Sequence, residues 1–312
     1  MRTLAHPEDL GPTPSGVCLA LGMFDGVHLG HQHVVRQAVL DARALNAMAV
    51  AATFHPHPLH ILAPERAPRL LQSLPQRIRA LATLGVDAVW VITFSPELSQ
   101  VAGEEFIRSI ARGFSRLRSI TVGHGFHFGH QRSGNVPLLH TLGNELGFAT
   151  HAMAPIHIGA ERVSSTRIRN ALREGSLQIV AELLGRPYAI AGEVVPGRQL
   201  GRKLGFPTAN IRVSGLELPP LGVYAARVRI NPSQPGNPIA AVLNLGLRPT
   251  LDSGNPTPLL ETHLLDYHSD LYGHEIEVEF VHHLRSERRF DSVQQLGIQI
   301  QHDIEAARSA LC

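Results

Sequence analysis

The chain changes character at Gly185-Arg186-Pro187. Between Val17 and Gly185, apolar runs of strand type alternate with stretches whose apolar residues recur at helical spacing, the mark of an α/β unit on a mainly parallel sheet. Beyond it come short alternating runs at 190–195, 222–230, 240–245, 261–265 and 276–280. Turn-rich segments at 231–238 and 252–258 separate some of them, which predicts an antiparallel sheet or small barrel. Residues 292–311 read as a closing helix. Two textures in 312 residues predict two domains, 1–185 and 186–312, each long enough to bury its own core.

Composition excludes more than it selects. The 28 Lys and Arg nearly balance the 26 Asp and Glu, and no basic block is present, so nucleic acid is not a favoured partner. Cys18 and Cys312 are the two cysteines, too few for a disulfide framework. No uninterrupted apolar segment approaches membrane-spanning length, and residues 1–11 carry Arg2 without a following apolar stretch. The expectation is a cytoplasmic protein with no membrane partner; its oligomeric state is not legible.

Further strands are expected at 47–54, 88–94 and 119–122, each followed by a loop. In such sheets ligands sit beyond the carboxyl ends of the strands, where the loops 22–31, 53–58 and 123–134 fall. The first of these is the most telling. Val17–Leu21 is an apolar run, and Gly22 and Gly26 let the backbone after it turn sharply and approach a ligand. Residues 32–44 then carry Val35, Ala38, Val39 and Ala42 at helical spacing, with His28 and His31 near the start. A helix start offers N–H groups and a favourable dipole to phosphate, and two imidazoles there can donate to phosphate oxygens. With 19 histidines in the chain, a lone one is ordinary. The whole string Gly22-Met-Phe-Asp-Gly-Val-His-Leu-Gly-His31 is far more specific, and it is neither a Walker A loop nor a dinucleotide fingerprint.

Four other segments carry candidate chemistry. Val163-Ser-Ser-Thr-Arg-Ile-Arg169 opens a helical segment ending near Gly175, with Ser165 or Thr166 as its N-cap, and by itself reads equally as a capped helix with solvated arginines. Thr53-Phe-His-Pro-His-Pro58 reads as a proline-spaced turn after a strand. The run from Gly192 to Asn210, with Gly197 and Gly201 inside it, could fold backbone N–H groups around phosphate, although a surface hairpin explains the spacing as well. Glu261 opens Glu261-Thr-His-Leu-Leu-Asp266, where a strand-end carboxylate on solvent is the plainer reading.

Taken in order, these motifs resemble those of the bacterial bifunctional riboflavin kinase/FAD synthetase family over nearly the whole chain, from about Val17 to Ala307. The resemblance implies an N-terminal Rossmann-like nucleotidyltransferase domain and a C-terminal small antiparallel β-barrel with a closing helix. It implies ATP contacts at Gly22, Phe24, Asp25, Gly26, His28, His31, Arg162, Ser165, Thr166 and Arg169, with His28 and His31 stabilising charge during transfer of AMP to FMN. In the second half Gly205-Phe-Pro-Thr-Ala-Asn210 resembles the kinase motif, so Thr208 and Asn210 are implied to hold Mg²⁺ and nucleotide phosphate, with Gly197 and Gly201 in the ATP loop. Glu261 matches the family's catalytic base, and Phe126, Arg285 and Phe290 match flavin contacts. Asn244-Leu-Gly-Leu-Arg-Pro-Thr250, Leu271-Tyr-Gly273 and Leu284-Arg-Ser-Glu-Arg-Arg-Phe290 fit in the same order. The implied substrates are riboflavin, FMN and ATP with magnesium, and FAD is the final product. One position departs: Gly123-His-Gly-Phe-His-Phe-Gly129 has Gly125 where the family has an acidic or amide residue. That departure keeps open a kinase with impaired adenylylation. A flavin-binding regulator without turnover is the other alternative, against which Thr208, Asn210 and Glu261 argue.

Overall fold

The computed structural model describes residues 1–197, 201, 204–234, 236–248 and 257–312. Parts of four segments named above lie outside the described residues: 198–200 and 202–203 of the glycine-rich run, 235 of the segment 231–238, 249–250 of the Asn244 motif, and 252–256 of the segment 252–258. The chain divides into two compact units, Met1–Arg69 with Leu74–Ser165, and Leu70–Ser73 with Thr166–Cys312. The division runs through the helix Ser165–Arg173, so Thr166 and Arg169 belong to the second unit.

The first unit is built on strands β1 (Arg2–Leu4), β2 (Val17–Leu21), β3 (Met48–His55), β4 (Ala88–Thr93), β5 (Leu117–Gly123) and β6 (Ala149–Met153). They lie in the order β1-β4-β3-β2-β5-β6, every neighbouring pair parallel. All five residues of β2 are buried, which is why it reads as a continuous apolar run rather than an alternating one. Leu19 and Val50 pack into one cluster with Phe106 and Leu139 of the helices Gly103–Gly113 and Val136–Leu146. Ala20 and Ala51 point the other way, toward Val35 of the helix Leu29–Ala44 and Leu81 of the helix Leu74–Ala82. The strand order reverses between β2 and β5, so the crevice beyond their carboxyl ends is the topological switch point of the sheet. A small hairpin, β7 (His157–Ile158) and β8 (Glu161–Arg162), follows.

Two helix starts differ from the sequence expectation. The first helix begins at Leu29, three residues before the predicted 32, because the His28 ring caps it by accepting from the His31 amide. Ser165 is the first residue of its helix rather than an N-cap, and its hydroxyl donates instead to the Asp25 carbonyl at 3.0 Å.

The second unit closes β9 (Ala189–Val195), β10 (Ala209–Arg212), β11 (Gly222–Ile230), β12 (Ile239–Arg248), β13 (Thr257–Leu264) and β14 (Glu275–Arg285) into a barrel. Its order is β10-β13-β12-β11-β14-β9, and β9 pairs back to β10; all pairs are antiparallel. Side chains alternate: Leu243, Leu245, Leu260, Thr262 and Leu264 are buried on one face of β12 and β13. On the other face Val223, Ala225 and Val242 pack against Ile304 and Ala307 of the closing helix Val293–Leu311, which Ser292 caps. Glu261 does not open a strand, as the sequence suggested, but sits in the middle of β13.

Candidate active sites

The first site forms where β2 ends. Phe24, Gly26 and Val27 all have positive φ (49°, 86° and 40°), and the turn delivers His28 to the N-terminus of the helix Leu29–Ala44. A Cβ at Gly22 would stand 2.8 Å from the Phe24 ring, so only glycine lets that ring tuck under the turn. The His28 and His31 rings stack with centroids 3.6 Å apart and planes 17° from parallel. Phe24 meets the His31 ring edge-on at 5.4 Å. Because His28 Nδ1 accepts from the His31 amide, that geometry assigns the neutral ring's proton to Nε2.

Asp25 is 2% exposed, and its carboxylate lies 3.7 Å from the guanidinium of Arg77, itself 1% exposed. Arg77 Nη1 also donates to the Met23 carbonyl, the Thr53 hydroxyl and the Phe54 carbonyl, each at 3.2 Å. Burial pulls this guanidinium below its ordinary pKa, and the Asp25 charge opposes the shift. Desolvation, with the Arg77 charge and His60 nearby, holds His55 below the usual imidazole value. In the 53–58 loop the Thr53 hydroxyl donates to the Met23 carbonyl at 2.7 Å, and His57 caps the short helix Pro58–Leu62. Arg77 is a residue the sequence reading missed. A lone arginine in an amphipathic helix carries no signal that it points inward.

Across the switch point lies the loop after β5. Phe126 is half-buried and stacks on the buried Phe128 at 5.5 Å. The His127 ring is hydrogen-bonded to the Gly125 carbonyl at 3.0 Å, and a Cβ built on Gly125 meets nothing within 4 Å. Arg162 is exposed on β8.

The second site is assembled by register. Glu261 of β13 stands opposite Asn210 of β10 on one side and Asn244 of β12 on the other, so an amide, a carboxylate and an amide form a row across three adjacent strands. The row opens on a cavity of about 460 Å³ between the barrel and the closing helix, lined also by Thr208, Val242, Arg285, Glu287 and Phe290. Asn210 is 3% exposed; its amide donates to the Thr208 carbonyl at 3.4 Å, and its buried Oδ1 has no hydrogen-bond partner among the described residues. A Cβ on Gly197 would lie 2.4 Å from the Asn210 amide, and one on Gly201 2.4 Å from the Phe206 carbonyl, so both glycines are fixed by close approach. Thr208 and Asn210 also line a second cavity of about 280 Å³, with Tyr267, Asp270 and Tyr272.

Arg285 forms a two-pronged pair with the buried Asp303, at 2.9 Å from Nε and 2.7 Å from Nη2, tying β14 to the closing helix at the cavity's edge. Phe290 packs under Arg285 and Arg288, whose guanidinium carbons lie 5.8 Å and 4.8 Å from its ring centre. Asn244 and Glu287, joined by a 3.4 Å hydrogen bond, were not singled out from the sequence as site residues. Asn244 stood in a recognised motif, but its place beside Glu261 is a property of strand register.

Among the described residues no group of three His, Cys, Asp or Glu side chains could hold a metal ion. The donor set beside Glu261 is instead hard oxygen, the Thr208 hydroxyl and the orphaned Asn210 Oδ1. Such a set suits magnesium that keeps waters and phosphate oxygens as its remaining ligands.

A parallel sheet with an anion-type turn at its switch point, joined in sequence to a barrel with a carboxylate beside a cavity, defines a two-module transferase of nucleotide substrates. The FAD synthetase family model matches residues 11–167, and the riboflavin kinase family model matches 184–311. A bifunctional riboflavin kinase/FMN adenylyltransferase of Haemophilus influenzae is 37% identical over 94% of this chain and 94% of its own. The protein of the same description from Escherichia coli is 36% identical over 99% of this chain and 97% of its own. A crystal structure from Streptococcus pneumoniae, described as a macrolide-efflux protein, has a TM-score of 0.81 at 29% identity, with 98% of each chain covered. No helix among the described residues of this chain is long and apolar enough to cross a membrane. The chain belongs to the bifunctional riboflavin kinase/FMN adenylyltransferase family.

Proposed function

We propose that the second unit phosphorylates riboflavin with ATP to give FMN and ADP, and that the first unit transfers AMP from a second ATP to FMN, giving FAD and pyrophosphate. The observation that carries this is the correspondence of two family models with two separately built polar sites, one holding His28 and His31 and the other Glu261. It favours two activities over a kinase alone or a regulator without turnover.

In the kinase half Glu261 accepts the proton of the ribityl hydroxyl as that oxygen attacks the γ-phosphorus in line. Asn210 and Asn244, flanking it by register, orient the carboxylate and the substrate's polar groups. Thr208 and Asn210 are the residues that would hold Mg²⁺, which neutralises phosphate charge when bound. Val242 and Phe290 offer apolar surface to the flavin ring, and Arg285 borders it. In the adenylylation half an FMN phosphate oxygen attacks the α-phosphorus of ATP and pyrophosphate leaves. No protein nucleophile is required, so His28, His31 and the helix start stabilise the developing charge. Ser165 and Arg162 are assigned to the triphosphate, Gly22 to Gly26 shape the loop against ATP, and Phe126 is assigned to the flavin. Gly197 and Gly201 are assigned to the kinase nucleotide loop. We place the domain boundary at 185/186 and the protein in the cytoplasm.

One chromatographic time course of riboflavin, FMN and FAD with ATP and magnesium tests the reading. FMN followed by FAD is expected; consumption of riboflavin without FAD leaves the kinase alone, and no ATP consumption removes both.

A further inference from the structure

The turn after β2 is a conformation that this sequence does not hold by itself. Val27 is β-branched and sits at φ 40°, Phe24 at 49°, and both conformations are sparsely populated for such residues. They persist only where the surroundings over-determine them. Phe24 and Val27 are each 1% exposed and packed in the cluster with Val35 and Leu81, which fixes their side chains. The backbone between them is fixed from beneath. Arg77 grips Met23 through its carbonyl and Asp25 through its carboxylate, and reaches the end of β3 at Thr53 and Phe54.

We propose that Arg77 is a positioning residue for adenylyl transfer: buried under the turn, it holds residues 23–27 so that His28 and the helix start face the triphosphate. This rests on reading the first unit's loop as the adenylyltransferase site. At 1% exposure Arg77 has no surface to offer a substrate, so its action runs through the loop. Fold stability alone does not account for it. Replacing a buried ion pair by apolar residues of similar volume is often neutral or stabilising, whereas a planar fork reaching acceptors on two segments at once fixes geometry that an apolar side chain cannot. Lysine would keep the charge but, as a single point, could not bridge the same acceptors. The Thr53 and Ser165 hydroxyls add two further ties, to the Met23 and Asp25 carbonyls.

The test uses the full chain and measures both activities on the same molecule. In Arg77→Met, kcat/KM for ATP in FMN adenylylation is expected to fall about 100-fold, the size of effect a misplacement of about 1 Å produces. KM for ATP rises and kcat falls, while KM for FMN and the riboflavin kinase constants stay at wild-type values. Arg77→Lys recovers part of the loss. Asp25→Asn, which keeps the volume and removes the partner charge, shows the same pattern more weakly, and it carries the test if Arg77→Met does not fold. A merely structural role would lower the number of active molecules and leave KM for ATP unchanged in both variants; that result overturns the proposal. Wild-type protein that makes no FAD from supplied FMN overturns the reading of the site itself, and the inference falls with it.

Discussion

The two sites are made in opposite ways. In the first unit the chemistry-bearing groups sit on a loop and a helix start, and what must be right is backbone: positive φ at residues 24, 26 and 27, and a glycine at 22 that clears an aromatic ring. In the second unit Asn210, Glu261 and Asn244 stand on regular strands, and what must be right is register, because a slip of one residue would turn each of them to the opposite face. A loop-built site is sensitive to the residues beneath it, such as Arg77. A strand-built site is sensitive to whatever keeps the strands closed.

The largest expected effect separates the halves outright. Glu261→Gln keeps the shape, exchanging one acceptor oxygen for an amide donor, but removes the base, so FMN formation should fall by about 10²–10⁴-fold while FAD formation from supplied FMN is untouched. Equal loss of both activities, or none, breaks the assignment of the base. His28→Asn is the counterpart in the first unit. Asparagine still caps the helix, so stability should hold, but the Nε2–H donor disappears, and adenylylation should fall by about 10²–10³-fold with the kinase intact. His28→Ala should add a stability loss of about 1 kcal/mol from the missing cap, measurable by thermal unfolding. If asparagine and alanine destabilise equally, the cap seen in the structure does not operate in solution.

What the sequence made legible follows the same divide. The first site's central string is contiguous, so Gly22, Phe24, Asp25, Gly26, His28 and His31 could be read together, and the structure brings them together around one turn. Arg77 is distant in sequence and hidden in a helix whose polar residues look like a solvated face. Both edge strands of the sheet were also missed: β1 has only three residues, and β6 is partly exposed with no apolar run to announce it. In the barrel the strand pattern was readable because one face is buried, and Gly222–Ile230 was read at the bounds it has. β10 was not read as a strand. Its four residues overlap the end of the run 192–210, which reads as a strand followed by a glycine-rich loop, and only pairing with β9 and β13 makes them a strand. The row formed by Asn210, Glu261 and Asn244 required that pairing, which local spacing does not contain.

A weaker effect probes closure of the barrel site. Arg285 and Asp303 join β14 to the closing helix through charge-assisted bonds, with Asp303 only 7% exposed at its side chain. Asp303→Asn should lower the stability of the second unit by about 1.5–3 kcal/mol, the range for a hydrogen bond to a charged group. KM for riboflavin should rise with it, since the helix forms one wall of the cavity. Adenylylation should be unaffected. A rise in KM without loss of stability would mean that Arg285 acts on the substrate rather than on the helix.

The smallest effect bears most sharply on the comparison. Gly125 lies in the loop after β5, at the switch point of the sheet, and a Cβ there has open space around it with a backbone outside the left-handed region. Neither conformation nor crowding requires glycine at this position, unlike Gly22, Gly197 and Gly201, which close approach fixes. Gly125→Asn should therefore fold normally and gain up to about 0.4–1 kcal/mol by restricting the unfolded chain. Its amide would restore a polar side chain beside Phe126. One added hydrogen bond to the bound substrates in the transition state is worth roughly 1 kcal/mol, a rise of about fivefold in kcat/KM for adenylylation. If that rise appears, the first unit's site uses side chains on both of its loops and this chain lacks one of them. If stability rises as expected and the rate does not, the loop after β5 serves through its backbone and its stacked phenylalanines. The contrast between a backbone-built site and a side-chain-built one then holds on both sides of the crevice.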